Sequence, residues 1–283
     1  MLSTSMPADV APSWDCHVHV FDGSAKVVPG HYTPQHRPLA VIESLAQRHG
    51  FGHLVLVQPS VYGTDNTVLL DALRMQPGRH RGVAVVDVSI SDADLTSMHS
   101  LGVRGVRFNL VSPAGNHQNP TEDFAKLAPR LRALGWHVQW YARADDLPAI
   151  AALHQSFPVP AVLDHLAGLN AHLAADHAAW YALHKLAALG AWAKLSGWYR
   201  LQADAPYIAL DGNIARVAKL FASRIVWGSD WPHTSFAADA LPTYASTLAP
   251  VTRVLSVAQK TDILNHAPKT LYPGKAANTD RAP

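Results

Sequence analysis

Trp14-Asp15-Cys16-His17-Val18-His19-Val20 near the start of the chain and Val226-Trp227-Gly228-Ser229-Asp230-Trp231-Pro232-His233 near its end are built alike. Each is a short apolar run that ends in groups able to bind a metal or move a proton. Side chains alternate along a strand, so His17 and His19 share one face, and Cys16 is expected on the other, toward surrounding helices. Two imidazoles at the end of one buried strand, with a carboxylate supplied by another, are costly to bury and poorly explained by packing. The pattern predicts an enzyme.

Working outward, the chain alternates apolar runs with helical patterns. Strands are expected at Ser13–Val20, His53–Pro59, Gly82–Val88, Val103–Leu110, His137–Tyr141, Pro160–Asp164, Ala191–Ser196 and Arg224–Gly228. Most are near-continuously apolar, as strands buried on both faces are. Helices are expected at Leu39–His49, Asn66–Met75, Asp92–Ser100, Thr121–Leu134, Asp145–Gln155, Ala171–Leu189, Tyr207–Ala222 and Val257–Asn265, with acidic or hydroxyl residues at several starts and Gly at several ends. Repeated strand-then-helix units predict an α/β protein, a single-domain (β/α)8 barrel of the TIM type with a core of about residues 13–273 and a polar tail at 274–283. Neither a dinucleotide-binding Gly-x-Gly-x-x-Gly turn nor a Gly-Lys-Ser/Thr phosphate loop is present.

The 283 residues are 48% hydrophobic and 16% charged with a net charge of +2, which suits a large-cored globular protein. Lys and Arg are scattered, so no basic stripe for nucleic acid is formed. No apolar run approaches the roughly 18 residues of a membrane span, and residues 1–13 do not read as a signal peptide. Cys16 is the only cysteine, which excludes an internal disulfide and agrees with a cytoplasmic location. Its simplest role is that of a small buried apolar group. The sequence carries no reading of the oligomeric state.

In such barrels chemistry sits at the C-terminal strand ends. Those ends offer His17 and His19, then Gln58 through Asn66, then Arg104, Arg107 and Asn109, then Gln139 and Tyr141, then Asp164 and His165, then Ser196 through Arg200, and finally Asp230. Arg104 also suits a structural ion pair. Arg107, on the face of Asn109, and Arg200, after a Gly-Trp-Tyr loop, suit an anionic substrate, because a guanidinium fork matches carboxylate geometry. Histidines within helices, such as His99, His154 and His184, read as structural, and Trp227 and Trp231 read as packing groups.

Asp-Cys-His-Val-His at 15–19 and Trp-Gly-Ser-Asp-Trp-Pro-His at 227–233 resemble the amidohydrolase superfamily. Gln-Pro-Ser-Val-Tyr-Gly-Thr-Asp-Asn (58–66), Val-Arg-Gly-Val-Arg-Phe-Asn (103–109), Asp-His-Leu-Ala (164–167) and Lys-Leu-Ser-Gly (194–197) narrow the likeness to its 2-pyrone-4,6-dicarboxylate hydrolase-like lactonases. The resemblance implies hydrolysis of a cyclic ester in an aromatic-degradation or sugar-acid pathway. It implies Asp230 as general base, with His17, His19 and His165 around the carbonyl. Arg107 and Arg200 would hold carboxylates, and Tyr32, Ser60 and Tyr141 would line the pocket. Members usually carry a further basic residue after the fourth-strand motif, where this chain reads Leu110-Val111-Ser112-Pro113-Ala114-Gly115. A missing cation removes about 1.5–3 kcal/mol, or roughly tenfold to a hundredfold in affinity. A lactone with one carboxylate, or with hydroxyls, is therefore as plausible a substrate as the pyrone dicarboxylate.

A binuclear metal centre would need a bridging Lys or Glu on the fourth strand and a His on the fifth, where Arg107, Asn109 and Gln139 stand. A single Zn²⁺ on His17, His19 and Asp230, with His165 as a further ligand, is chemically reasonable. The resembled branch implies no required cofactor, and the expectation is metal-free opening of a small anionic lactone. Two alternatives stand beside it: a metal-dependent decarboxylase of the same superfamily and a catalytically silent small-acid binding protein.

Overall fold

In the computed structural model, residues 12–29, 32–112, 119–234, 236–237 and 239–274 are described. Eight strands run in parallel in sequence order. They are β1 (Ser13–Val18), β2 (Phe51–Val57), β3 (Arg81–Ala84), β4 (Val103–Asn109), β5 (His137–Tyr141), β6 (Ala161–Leu163), β7 (Trp192–Leu195) and β8 (Ile225–Trp227). Helices α1 (Leu39–Gln47), α2 (Thr67–Met75), α3 (Asp92–Leu101), α4 (Pro120–Ala133), α5 (Leu147–Ser156), α6 (Ala178–Ala188), α7 (Asp211–Phe221) and α8 (Tyr244–Val254) follow the strands in turn. The molecule is a (β/α)8 barrel. The capping signals act as expected: Ser91 Oγ accepts from Asp94 N at the start of α3, and Gly102 (φ 111°) ends it.

Two apolar layers explain why the strands read as continuous runs. Leu54, Leu56, Val106, Phe108, Val138, Trp140 and Leu163 point outward and pack with the helices. Val55, Val57, Val83, Val162, Trp192 and Val226 point inward and fill the barrel with Trp14. The N-terminal end of the barrel is closed by the last helix among the described residues, α10 (Ala267–Leu271), with Tyr272, and by Arg81 and Arg104, whose Nε atoms both donate to Pro273 O. Arg104 is thus structural, held by carbonyls rather than by a carboxylate, and sits at the end of β4 away from the catalytic mouth.

The structure corrects several expectations. Cys16 faces the barrel interior, packed with Trp14 and Val55, not the helix layer. A register shift against β2 between Asp15 and Val18 breaks the strict alternation, so consecutive residues Cys16 and His17 both turn inward. The helix expected over Ala171–Leu189 begins only at Ala178, and that over Tyr207–Ala222 begins as a 3-10 turn and becomes α-helical at Asp211. Helix α8 lies outside the set expected from sequence. Thr243 caps it by accepting from Ser246 N. The expected Val257–Asn265 helix is a short α-turn, α9 (Val257–Thr261), that runs into a π-helical turn. Most of the expected tail, 275–283, lies outside the described residues, as do residues 1–11.

Candidate active site

Barrel closure itself assembles the site. The chain beyond β8 pairs with the end of β1: Asp230 N donates to His17 O (2.9 Å) and His19 N donates to Trp231 O (2.9 Å). The residue carrying the carboxylate is therefore hydrogen-bonded to the residue carrying the first imidazole. Gly228 allows the approach, since a Cβ there would lie 2.5 Å from His17 Cβ. Behind the strand, Asp15 accepts from Ser229 N (2.9 Å) and Tyr244 Oη (2.8 Å), tying β1 to the segment after β8. Burial pushes its carboxyl up to about 6, against the pull of those donors.

Asp230 is fully enclosed and uses its two oxygens differently. Oδ2 accepts from Tyr199 Oη (2.6 Å) and Arg200 Nε (2.7 Å). Oδ1 lies 3.6 Å from Nε2 of His17 and of His19 and makes no hydrogen bond among the described residues. Burial raises the Asp230 carboxyl, but Arg200 and the histidines outweigh it and hold the group well below the usual carboxylate range. The contest between desolvation and a neighbouring cation is thus won by the cation. Asp230 has φ 61°, and His165, Leu166 and Ala167 also lie in the left-handed region (φ 48°, 51° and 56°), a cluster of strain of the kind that functional sites hold.

Each imidazole is oriented by its second nitrogen. His19 Nδ1 lies 2.8 Å from Val57 O, which accepts only, so Nδ1 carries a proton and, in the neutral ring, Nε2 is an acceptor facing Asp230. His165 Nδ1 meets Ser196 Oγ (2.9 Å), leaving Nε2 without a partner; burial pushes this ring down to about 3. Gly197 (φ 59°) makes room for it, because a Cβ there would lie 2.4 Å from His165 Nδ1. His17 stands over a buried ionic group. Its Nδ1 lies 3.3 Å from Lys194 Nζ and 3.4 Å from Asp164 Oδ1. Asp164 in turn contacts Lys194 (3.2 Å) and Arg107 (3.1 Å), and Gln139 bridges Asp164 and Lys194. Burial raises Asp164, yet Lys194, His17 and Arg107 outweigh it and hold the carboxyl well below its usual range. Burial and the Lys194 charge keep His17 well below the ordinary imidazole range.

Above this floor a cleft of about 320 Å³ is lined by His19, Tyr32, Ser60, Arg107, Asn109, Tyr141 and Arg200, among others. The guanidinium carbons of Arg107 and Arg200 lie 5.1 and 5.7 Å from the Tyr141 ring centroid, so both cations stand over that ring. Asn109 Nδ2 donates to Ser60 Oγ (2.6 Å). Tyr32 is pushed up to about 12 by burial and stays a neutral hydroxyl. All nine residues expected from sequence thus line this cleft or form its floor. In the stretch after β4, positions 113–115 lie outside the described residues. Asp164 and Tyr199 stood among the strand-end residues without an assigned role, and Lys194 was not among the expected site residues. Lys194 did carry a signal: a charged residue inside an apolar strand is rarely buried without partners.

One donor atom from each of His17, His165 and Asp230 lies within 4.8 Å of the others. That trio, with His165 in place of the expected His19, fits a divalent cation by atom type. It does not fit by charge. Lys194 already stands against the far nitrogen of His17, and Arg200 against the far oxygen of Asp230. His99 and His154 are structural, accepting from the indole N–H groups of Trp136 and Trp140. Trp227 packs against Phe51 and Tyr244.

Comparison with known proteins agrees with this architecture. The chain is 35% identical over 235 residues to a 2-pyrone-4,6-dicarboxylate hydrolase of Comamonas testosteroni, covering 77% of this chain and 76% of that one. It is 30% identical over 230 residues to a 4-sulfomuconolactone hydrolase of Rhizobium radiobacter, covering 79% and 77%. A crystal structure from Pseudomonas putida, assigned as a 2-pyrone-4,6-dicarboxylic acid hydrolase, superposes with a TM-score of 0.82 at 30% identity, covering 92% of this chain and 97% of that one. The amidohydrolase family profile (Amidohydro_2) matches residues 14–274. With the strand-end histidines and Asp230 in one cleft, the chain belongs to the amidohydrolase family.

Proposed function

We propose that the protein is a lactonase that opens a carboxylated cyclic ester with water activated at Asp230, without a metal ion. One observation carries the reading. His17 Nε2, His165 Nε2 and Asp230 Oδ1 are buried, unpartnered and convergent, beneath a cleft walled by two arginines. Buried polar atoms without partners are costly, and such a set is relieved by a ligand that both accepts and donates.

The substrate carboxylate binds Arg107 and Arg200, placing the ring carbonyl over His17 and His165. Water donates one O–H to Asp230 Oδ1 and the other to His19 Nε2, so His19 positions the nucleophile rather than the oxyanion. The water oxygen adds to the carbonyl carbon as its proton passes to Oδ1, and histidine N–H groups stabilise the oxyanion. Collapse of the tetrahedral centre breaks the ring C–O bond, and the proton on Asp230 passes to the departing oxygen. The new carboxylic acid releases one proton to solvent. A base held so low is weak while Arg200 grips it. A substrate carboxylate on Arg200 diverts part of that attraction and raises the proton affinity of Asp230 as the complex forms.

The test is a panel of 2-pyrone-4,6-dicarboxylate, muconolactone-type and sugar-acid lactones, followed by proton release in weak buffer with and without chelator. Chelator-resistant acid release with ring opening is expected. Chelator-sensitive CO₂ release from an unsaturated acid would replace the reading with a decarboxylase. Binding of every lactone without acid release would replace it with a sensor.

A further inference from the structure

Lys194 is fully buried on β7, where its ammonium has three N–H groups and three neighbours. These are Gln139 Oε1 at 2.6 Å, Asp164 Oδ1 at 3.2 Å and His17 Nδ1 at 3.3 Å. The orientation of Gln139 is fixed, because its Nε2 donates to Asp164 Oδ2 (2.9 Å) and its carbonyl must then face Lys194. His17 Nδ1 has two candidate partners, and they demand opposite tautomers. Asp164 would require a proton on Nδ1; Lys194 requires a lone pair there. The two contacts are close in length, 3.3 Å to Lys194 Nζ and 3.4 Å to Asp164 Oδ1, and the Asp164 charge draws a proton toward Nδ1. The Lys194 contact meets hydrogen-bond criteria and the Asp164 Oδ1 contact does not, which favours the lone pair on Nδ1. An Nδ1–H would also point one donor at another.

We propose that Lys194 is a positioning residue: by donating to His17 Nδ1 it holds the ring proton on Nε2, aimed into the cleft as a hydrogen-bond donor. His17 and His19 then carry opposite tautomers on one strand. Val57 O leaves His19 an acceptor toward the cleft, and Lys194 makes His17 a donor. Side by side, they distinguish the two atoms of the reaction, since the donor meets the carbonyl oxygen and the acceptor meets the attacking water. A protonated Nε2 is also closed to metal ligation, which gives the charge mismatch above a chemical form. The catalytic consequence rests on the lactonase reading; the tautomer does not.

The experiment is ¹⁵N NMR of the full chain labelled at histidine, with the His17 signals assigned by their loss in His17→Gln. In the wild type the proton is expected on Nε2. In Lys194→Met it is expected to move to Nδ1, where Asp164 accepts it. The kcat should then fall tenfold or more with KM within about threefold, short of the 10²–10³ lost when an oxyanion donor is deleted outright. A proton on Nδ1 in the wild type overturns the proposal with no variant needed, so misfolding of Lys194→Met cannot shelter it. An unchanged tautomer in a folded Lys194→Met also overturns it. If no lactone is opened yet the tautomer reads and switches as described, the functional reading fails while Lys194 keeps its role.

Discussion

Asp230→Asn isolates the base from the scaffold around it. The amide oxygen can take the place of Oδ2 and still accept from Tyr199 (2.6 Å) and Arg200 (2.7 Å). The amide NH₂ then occupies the position of Oδ1, 3.6 Å from Nε2 of His17 and His19, and puts a donor where water needs an acceptor. General-base removal costs about 10²–10⁴ in rate, or roughly 3–5 kcal/mol of barrier at 1.36 kcal/mol per decade. We expect the middle of that range, about 10³, since the resting carboxylate is held low and is a modest base. The variant also frees Arg200 from its anion, so KM for a carboxylated lactone should fall while kcat collapses. Removing one partner of a fully buried pair costs about 3–5 kcal/mol. Arg200, with 17% of its side chain exposed at the cleft, should cost less. The assay is the initial rate of proton release alongside thermal melting followed by circular dichroism. A folded variant that keeps kcat within about threefold of wild type would refute the assignment.

Other perturbations test the surroundings. Tyr199→Phe removes one donor from Asp230 Oδ2, so the acidic limb of kcat/KM should rise by about one pH unit; an unmoved limb would remove Tyr199 from the control of the base. Gly197→Ala forces a Cβ to within 2.4 Å of His165 Nδ1 at φ 59°. A cost of roughly 2–4 kcal/mol follows from the backbone and the clash, with more than tenfold loss of kcat and a Tm lowered by roughly 5–10 °C. Asp15 is raised from 3.8 to about 6 by burial, so its contribution to stability is full below about pH 4 and is lost as pH rises through about 6. Asp15→Asn removes that loss, and its stability relative to wild type should improve by up to roughly 3 kcal/mol between pH 4 and pH 7. Urea melts at the two pH values check the sign; a gap that widens with pH refutes it.

The strands were legible because each lies between two apolar layers, and their positions came within a few residues. Helix α8 lies outside the expected set; its internal Pro250 removes one backbone N–H, a loss tolerated because the helix is capped and packs through Tyr244 and Val251 on the barrel wall. The facing of Cys16 was misread because alternation assumes an unbroken register, and β1 slips against β2 beside it. The candidate residues at the strand ends were conspicuous because polar groups after apolar runs stand out, and the structure brings them to one cleft. Lys194 and Asp164 have no readable role in the sequence, although Asp164 stands at a strand end. Sequence shows which residues of one strand face inward, but not which of them meet across the barrel at the same height. Arg104 and Arg107 show the same limit. Three residues of one strand separate a bottom plug from a catalytic wall.

The charges facing the barrel axis join these observations into one account of substrate choice. Among the described residues at the floor and wall of the cleft, Lys194, Arg107 and Arg200 stand against Asp164 and Asp230, with the histidines kept neutral at His17 and His165 by burial. One positive charge is left over in a site of low dielectric, where uncompensated charge is costly. A divalent metal would deepen the imbalance, whereas one substrate carboxylate, on the proposed reading, would remove it at the two arginines that stand over the Tyr141 ring. A second carboxylate would tip the balance the other way and needs a further cation, which Leu110 through Gly115 do not supply. On the lactonase reading proposed above, charge balance would favour a lactone with a single carboxylate. A competition series makes the argument testable: matched mono- and dicarboxylated lactones should bind within about tenfold of one another here, with the monocarboxylate ahead. A dicarboxylate preferred by a hundredfold would show that a cation from elsewhere in the chain completes the site.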